Sequence, residues 1–196
     1  KAMTRRAIKT STYIMAPLMM GLAFCGYPIV RLILTDKWSA CVPYMQIFCV
    51  TSMFYPIHTA NLNAIKAMGR SDYYLKLEVI KKIIGVGLLL LTMNYGVMAM
   101  AYSLLVSSFT SQIINSWPNK KLLGYGYLEQ IRDILSGILL AVVMGIGIYP
   151  VVWIGLSDFV TLCIQIPLGA IIYILGSKIL KLDEFNYVWN WVKQII

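Results

Sequence analysis

Carboxylates are scarce in this chain: eight Asp and Glu stand against 17 Lys and Arg, and none falls in the five long uncharged stretches that make up most of it. Those stretches also lack a His-Glu-x-x-His motif, and the chain has one histidine, His58. The positioned acids, nucleophiles and metal ligands that a membrane hydrolase or glycosyltransferase requires are therefore missing from them. Cysteine is almost as sparse. Cys25, Cys41, Cys49 and Cys163 have no Cys-x-x-Cys spacing, so a zinc site is not expected, no disulfide framework is implied, and the thiols read as small buried apolar groups. Neither a metal nor another cofactor is expected, and the chain is not expected to be an enzyme.

What is present is apolar. Hydrophobic residues make up 59% of the chain and charged residues 13%, about half the ~25% usual for a soluble domain. The uncharged stretches run over 10–30, 38–65, 83–119, 134–157 and 159–177. A membrane-spanning helix needs roughly 20 apolar residues to cross about 30 Å of hydrocarbon. The third stretch is too long for one helix and contains a polar, glycine-bearing turn, Met93-Asn94-Tyr95-Gly96. The expected fold class is therefore all-α and polytopic, with six membrane helices: A (11–34), B (40–65), C (73–93), D (97–117), E (134–152) and F (159–179).

The basic residues orient these helices. Apart from Arg31 and Lys37, they lie in four groups: before A, between B and C or on the first turns of C, between D and E, and after F. The positive-inside rule puts these groups and both termini in the cytoplasm. Residues 1–10 are then a cytoplasmic lead-in and 118–132 a cytoplasmic loop. The net charge of +9 fits loops facing anionic lipid better than a nucleic-acid surface, because the cations flank spans and do not share one face. Helix A is too long for a signal-peptide core and five more spans follow it. Lys1 is not an initiator Met, which suggests a processed, tagged or truncated piece.

Polar and small residues mark particular faces. Ser103, Ser107 and Ser111 in D, and Gly137, Ala141 and Gly145 in E, give four-residue spacings on which helices can approach closely. The serines could also line a polar cavity. In B, Ser52, Tyr55, Thr59, Asn63, Lys66 and Arg70 share one face at about 100° per residue. That face should look into the bundle or onto water, either facing a substrate or serving as interhelical and snorkelling groups. His58 and Asn61 fall elsewhere on the helix, and His58 reads as a satisfied interhelical residue. Pro17, Pro28, Pro43, Pro56, Pro150 and Pro167 mark places where helices can bend. Beyond F, residues 181–196 form an amphipathic tail with Phe185, Val188, Trp189, Val192, Ile195 and Ile196 on one side. It reads as an interfacial helix, or as one docked on the bundle or a partner.

The segment Asn61-Leu62-Asn63-Ala64-Ile65-Lys66-Ala67-Met68-Gly69-Arg70-Ser71-Asp72, continuing into Leu75-Lys76-Leu77-Glu78 and Lys81-Lys82, resembles the carboxy-terminal half of bacterial polysaccharide flippases. These are of the Wzx type, in the multidrug/oligosaccharidyl-lipid/polysaccharide exporter superfamily. Lys37-Trp38 and Asn115-Ser116-Trp117-Pro118-Asn119-Lys120-Lys121 are similar to family features as well. One departure is Thr35-Asp36, where the family often has a glycine. The resemblance implies two lobes that alternate access, of which this chain would hold the last four helices of the second (11–117) and two further helices (133–180).

It further implies a role in flipping lipid-linked oligosaccharide across the cytoplasmic (inner) membrane for lipopolysaccharide or exopolysaccharide biosynthesis. The implied partners are the lipid bilayer, the missing N-terminal lobe and the lipid-linked oligosaccharide. Thr59, Asn63, Lys66 and Arg70 become the candidate substrate pathway, the two cations receiving a pyrophosphate. The alternatives are a multidrug exporter of the same superfamily, a membrane-embedded enzyme, or a structural subunit of envelope glycan assembly.

Overall fold

The computed structural model describes residues 1–195, and it is helical with no strand among them. Among the described residues nine α-helices follow one another: α1 (Ala2–Phe24), α2 (Gly26–Leu34), α3 (Val42–Met53), α4 (Tyr55–Ala67), α5 (Ser71–Thr92), α6 (Val97–Leu123), α7 (Tyr127–Ile148), α8 (Asp158–Ile179) and α9 (Asp183–Ile195). The first eight form rods at the expected positions of A to F, with A divided into α1 and α2 and B into α3 and α4.

Four of these stretches are long and apolar enough to cross a membrane: Asp36–Ala67, Val97–Leu123, Tyr127–Ile154 and Asp158–Ile179. A fifth follows if α1 and α2, bent by 67°, are taken together. The helix expected as a third span, α5, does not join them. Its cause is composition: Asp72, Lys76, Glu78, Lys81 and Lys82 place five charges in its first 12 residues.

The breaks have local causes. Pro28, Pro43 and Pro56 sit in the first turns of α2, α3 and α4, where a missing N–H leaves no intrahelical bond unmade. At the bend after Phe24, the Gln46 side-chain amide donates to the Ala23 carbonyl at 3.1 Å, supplying a partner where the helix is interrupted. Gly96, at φ +91°, closes the expected turn between α5 and α6. Pro17, Pro118 and Pro167 instead lie inside continuous helices.

Residues 118–132, expected as a cytoplasmic loop, are helical apart from Gly124, Tyr125 and Gly126. Here α6 runs on to Leu123 because its polar residues are paid for by interhelical partners described below. Gly124, at φ +62°, then ends it, and the Tyr125 N–H turns back to the Asn119 carbonyl at 3.3 Å. The lead-in is also helical, since α1 starts at Ala2.

The core lies where α1 meets α7. Ile8, Tyr13 and Ala16 of α1 pack with Ile134, Ile138, Ala141 and Met144 of α7, and Tyr173 of α8 closes the cluster. Two hydrogen bonds fasten the third helix: Tyr13 donates to the Ser177 hydroxyl at 2.7 Å, and Tyr173 donates to the Tyr13 carbonyl at 2.8 Å. The small-residue stripe of α7 serves this packing. A Cβ added at Gly145 would penetrate the Phe24 ring, while one at Gly87 of α5 would meet nothing within 4 Å. Gly145→Val is therefore expected to lower stability by about 1–3 kcal/mol through overpacking, with part of the loss recovered by adding Phe24→Ala. Gly87→Ala should be neutral or gain up to about 1 kcal/mol of helix propensity. Thermal unfolding of the detergent-solubilised protein distinguishes the two, and equal midpoints for both variants would contradict the packing.

Ion pairs fasten the lead-in. Lys1 reaches Glu129 at 3.0 Å, Arg5 pairs with Asp133, and Lys9 reaches Glu184 at 2.7 Å. Arg6 lies 4.5 Å from the centre of the Tyr187 ring. These cations thus join α1 to α7 and α9 besides adding charge to one end of the bundle. Burial pushes the Tyr125 phenol above its ordinary value, and its hydrogen bond to the Asp133 carboxylate, 2.8 Å long, adds to the shift. The beginning of the tail helix docks on the bundle through Leu182, Phe185 and Val188, whereas Trp189 stays half exposed. The side chains of Val192 and Ile195, and the whole of Ile196, lie outside the described residues.

A polar cleft between two helices

The four residues nominated from the sequence lie together on the outward side of α4 and on the turn after it. The Thr59 hydroxyl donates to the Tyr55 carbonyl of its own helix at 2.9 Å. Asn63 is exposed. Lys66 lies 4.4 Å from the centre of the Tyr74 ring, and Arg70 lies 4.5 Å from that of Tyr73. Arg70 also holds Asp72 through two bonds, Nε to Oδ1 at 3.1 Å and a terminal nitrogen to Oδ2 at 3.2 Å. The Arg70 hydrogen bond keeps the Asp72 carboxyl below its ordinary value, so this carboxylate opposes anion capture at that guanidinium.

A different set of polar residues lines a cleft of about 400 Å³ between α5 and α6. From α6 come Ser103, Ser107 and Ser111, from α5 Glu78, Lys81 and Lys82, and from α4 His58. The serine stripe legible in the sequence therefore borders a cavity, and Gly85 of α5 lies across from it: a Cβ there would make ordinary contact with the Ser107 hydroxyl at 3.5 Å. Lys81 is 8% exposed, and its ammonium bonds Glu78 Oε1 at 2.5 Å one helical turn away. Lys82 is exposed to the cleft and forms no ion pair among the described residues.

Glu78, Lys81 and Lys82 stand two to three turns into α5, beside the middle of the apolar helix α6. A lysine buried among apolar helices is costly unless paired, and Glu78 supplies that partner. The cleft thus offers ammonium and hydroxyl donors, and it carries more positive than negative charge. Such a surface can replace water around an anionic or hydroxyl-rich group inside a low-dielectric slab.

Behind the cleft is a hydrogen-bonded cluster that joins α4, α6 and α7. The Asn61 amide donates to the Gln130 side-chain oxygen at 2.8 Å and to the Ser116 hydroxyl at 3.0 Å. Its oxygen accepts from Gln130 at 3.0 Å and from Asn119 at 2.7 Å. All four side chains are buried. One turn nearer the cleft, Asn115 contacts His58 Nδ1 at 2.8 Å. The cluster was legible as spacing, because Gln112, Asn115, Ser116 and Asn119 lie on one side of α6. Taking 118–132 for a loop hid it.

No group of three or more His, Cys, Asp and Glu side chains among the described residues could hold a metal ion. Four helical stretches long and apolar enough to cross a bilayer mark an α-helical membrane protein. The first 43 residues match a family model described as "Polysaccharide biosynthesis protein", a stretch that covers α1, α2 and the entry into α3. The match supports a polysaccharide biosynthesis family, and the cleft lies outside it. No curated protein and no solved structure matches the chain.

Proposed function

We propose that this chain is the second-lobe part of a cytoplasmic (inner) membrane transporter that flips lipid-linked oligosaccharide during lipopolysaccharide or exopolysaccharide assembly, and that it is not an enzyme. The observation that carries this reading is the α5–α6 cleft, in which Lys81, Lys82 and three serines border a cavity beside an apolar helix. The family match at residues 1–43 supports the glycan side of the reading. The missing first lobe would supply the opposite wall, and the two lobes would rock about the substrate. In this scheme Lys82 receives a phosphate oxygen of the carrier, the serines hydrogen-bond the glycan, and the lipid tail stays in the bilayer. Lys66 and Arg70 form an outer ring at the cytoplasmic mouth, with Thr59 and Asn63 beside them.

Loss of one charge-assisted hydrogen bond costs about 1.5–3 kcal/mol. Lys82→Gln in the full-length gene should therefore cut flipping by about ten- to a hundredfold at unchanged membrane levels. The measurement is rescue of a strain blocked in glycan export, read as lipid-linked intermediate accumulating on the inner leaflet. Full rescue by the variant would remove the cleft from the pathway. Glu78, a carboxylate beside the middle of α6, favours a second reading, a cation or drug exporter of the same superfamily. Export of lipophilic cations by a protein that fails the glycan assay would decide for it.

A further inference from the structure

The α5–α6 pair has a second concavity, on the side of α5 opposite the cleft. It measures about 490 Å³, and apart from Lys76 its walls are apolar or aromatic: Tyr73, Leu77 and Ile80 of α5 face Ile113 and Trp117 of α6. Leu77 forms a buried floor, while Ile80, Ile113 and Trp117 are roughly half exposed or more. From Tyr73 to Ile80 the groove runs about 10 Å along α5. Its two ends differ. Tyr73, Lys76 and Trp117 gather at the end nearest the basic turn after α4, and aliphatic side chains continue inward.

That order matches an amphiphile entering from a membrane surface. Aromatic rings settle at the headgroup level, and basic pockets between membrane helices bind anionic headgroups. Lys76 is exposed and has no ion pair among the described residues. Lys76 therefore makes this end of the groove positive, complementing a phosphate. We propose that this groove is a binding site for an anionic glycerophospholipid of the bilayer, with its headgroup phosphate on Lys76 between Tyr73 and Trp117 and an acyl chain laid over Leu77 toward Ile80 and Ile113. The site is independent of transport and binds lipid whether or not the cleft carries a glycan.

Trp117 reports on the groove directly. The full-length protein is reconstituted in phosphatidylcholine vesicles that contain increasing fractions of brominated phosphatidylglycerol or, separately, brominated phosphatidylcholine. The Trp117 contribution to quenching is the difference between the unsubstituted protein and Trp117→Phe. Quenching by the anionic lipid is expected to reach half its maximum at a mole fraction about fivefold lower, the ratio that one lysine near the surface contributes. Lys76→Gln should abolish that preference, and Lys82→Gln, on the other side of α5, should leave it intact. Equal quenching by both lipids in the unsubstituted protein, or a preference surviving Lys76→Gln, would overturn the assignment. Absence of quenching by either lipid would also overturn it, since protein would then cover the groove.

Discussion

Asn61→Leu is expected to lower the stability of the full-length protein by about 2–3 kcal/mol in detergent, with α4 loosened from α6 and α7. The substitution removes four hydrogen bonds made by one side chain, two with Gln130 and one each with Ser116 and Asn119. Interhelical hydrogen bonds in membrane proteins average about 0.6 kcal/mol and reach about 1.7, which sets the scale. The loss is bounded because the neighbours keep other partners. Gln130 still donates to the Tyr125 carbonyl at 3.2 Å, Ser116 to the Gln112 carbonyl at 2.8 Å, and Asn119 to the residue-61 carbonyl at 3.1 Å. Because the cluster is shared, adding Gln130→Leu should cost less than it does alone, a coupling of about 0.5–3 kcal/mol between the two sites. Thermal midpoints of the two single variants and the double variant complete the cycle. An unchanged midpoint for Asn61→Leu, or strict additivity, would show that the cluster does not hold the three helices together.

Asn61 also shows where sequence periodicity stops being informative. Hydropathy and the glycine turn located the six rods, because helix length against bilayer thickness and the break at Gly96 are local properties. The serine stripe of α6 was legible for the same reason. The side of α4 that meets its neighbours was not. Grouping Thr59, Asn63, Lys66 and Arg70 by polarity selected an outward side, since a polar stripe reads alike whether it faces a partner, a cavity or an absent lobe. Asn61, the middle residue of α4, lay among Leu62 and Ile65 and was set aside as falling off the polar face, yet it is fully buried. Lys81 was counted as a topology signal. Its burial depends on Glu78 one turn earlier and on α6 packed alongside, and the second of these is a tertiary fact.

Glu78→Gln should destabilise the protein by about 2–3 kcal/mol, below the ~3–5 kcal/mol typical of breaking a fully buried pair, because the Glu78 side chain is 31% exposed. The variant strands the Lys81 ammonium, 8% exposed, among apolar helices. Lys81→Met should cost less than Glu78→Gln, since the remaining carboxylate can turn into the cleft and stay hydrated. The double variant Lys81→Met/Glu78→Gln removes both charges, and buried pairs replaced by neutral groups of similar volume are often neutral or stabilising. It should therefore recover most of the midpoint lost in Glu78→Gln. Stability and transport then separate: the double variant is expected to fold and insert normally, and because it removes one charge of each sign and leaves Lys82 in place, a fall in flipping reports on the Lys81 ammonium itself and not on the net charge of the cleft. A double variant as unstable as Glu78→Gln would mean that the pair is not what permits Lys81 at that depth. A stable double variant with full flipping would mean that the pair only holds α5 in place, leaving Lys82 and the serines to meet the substrate.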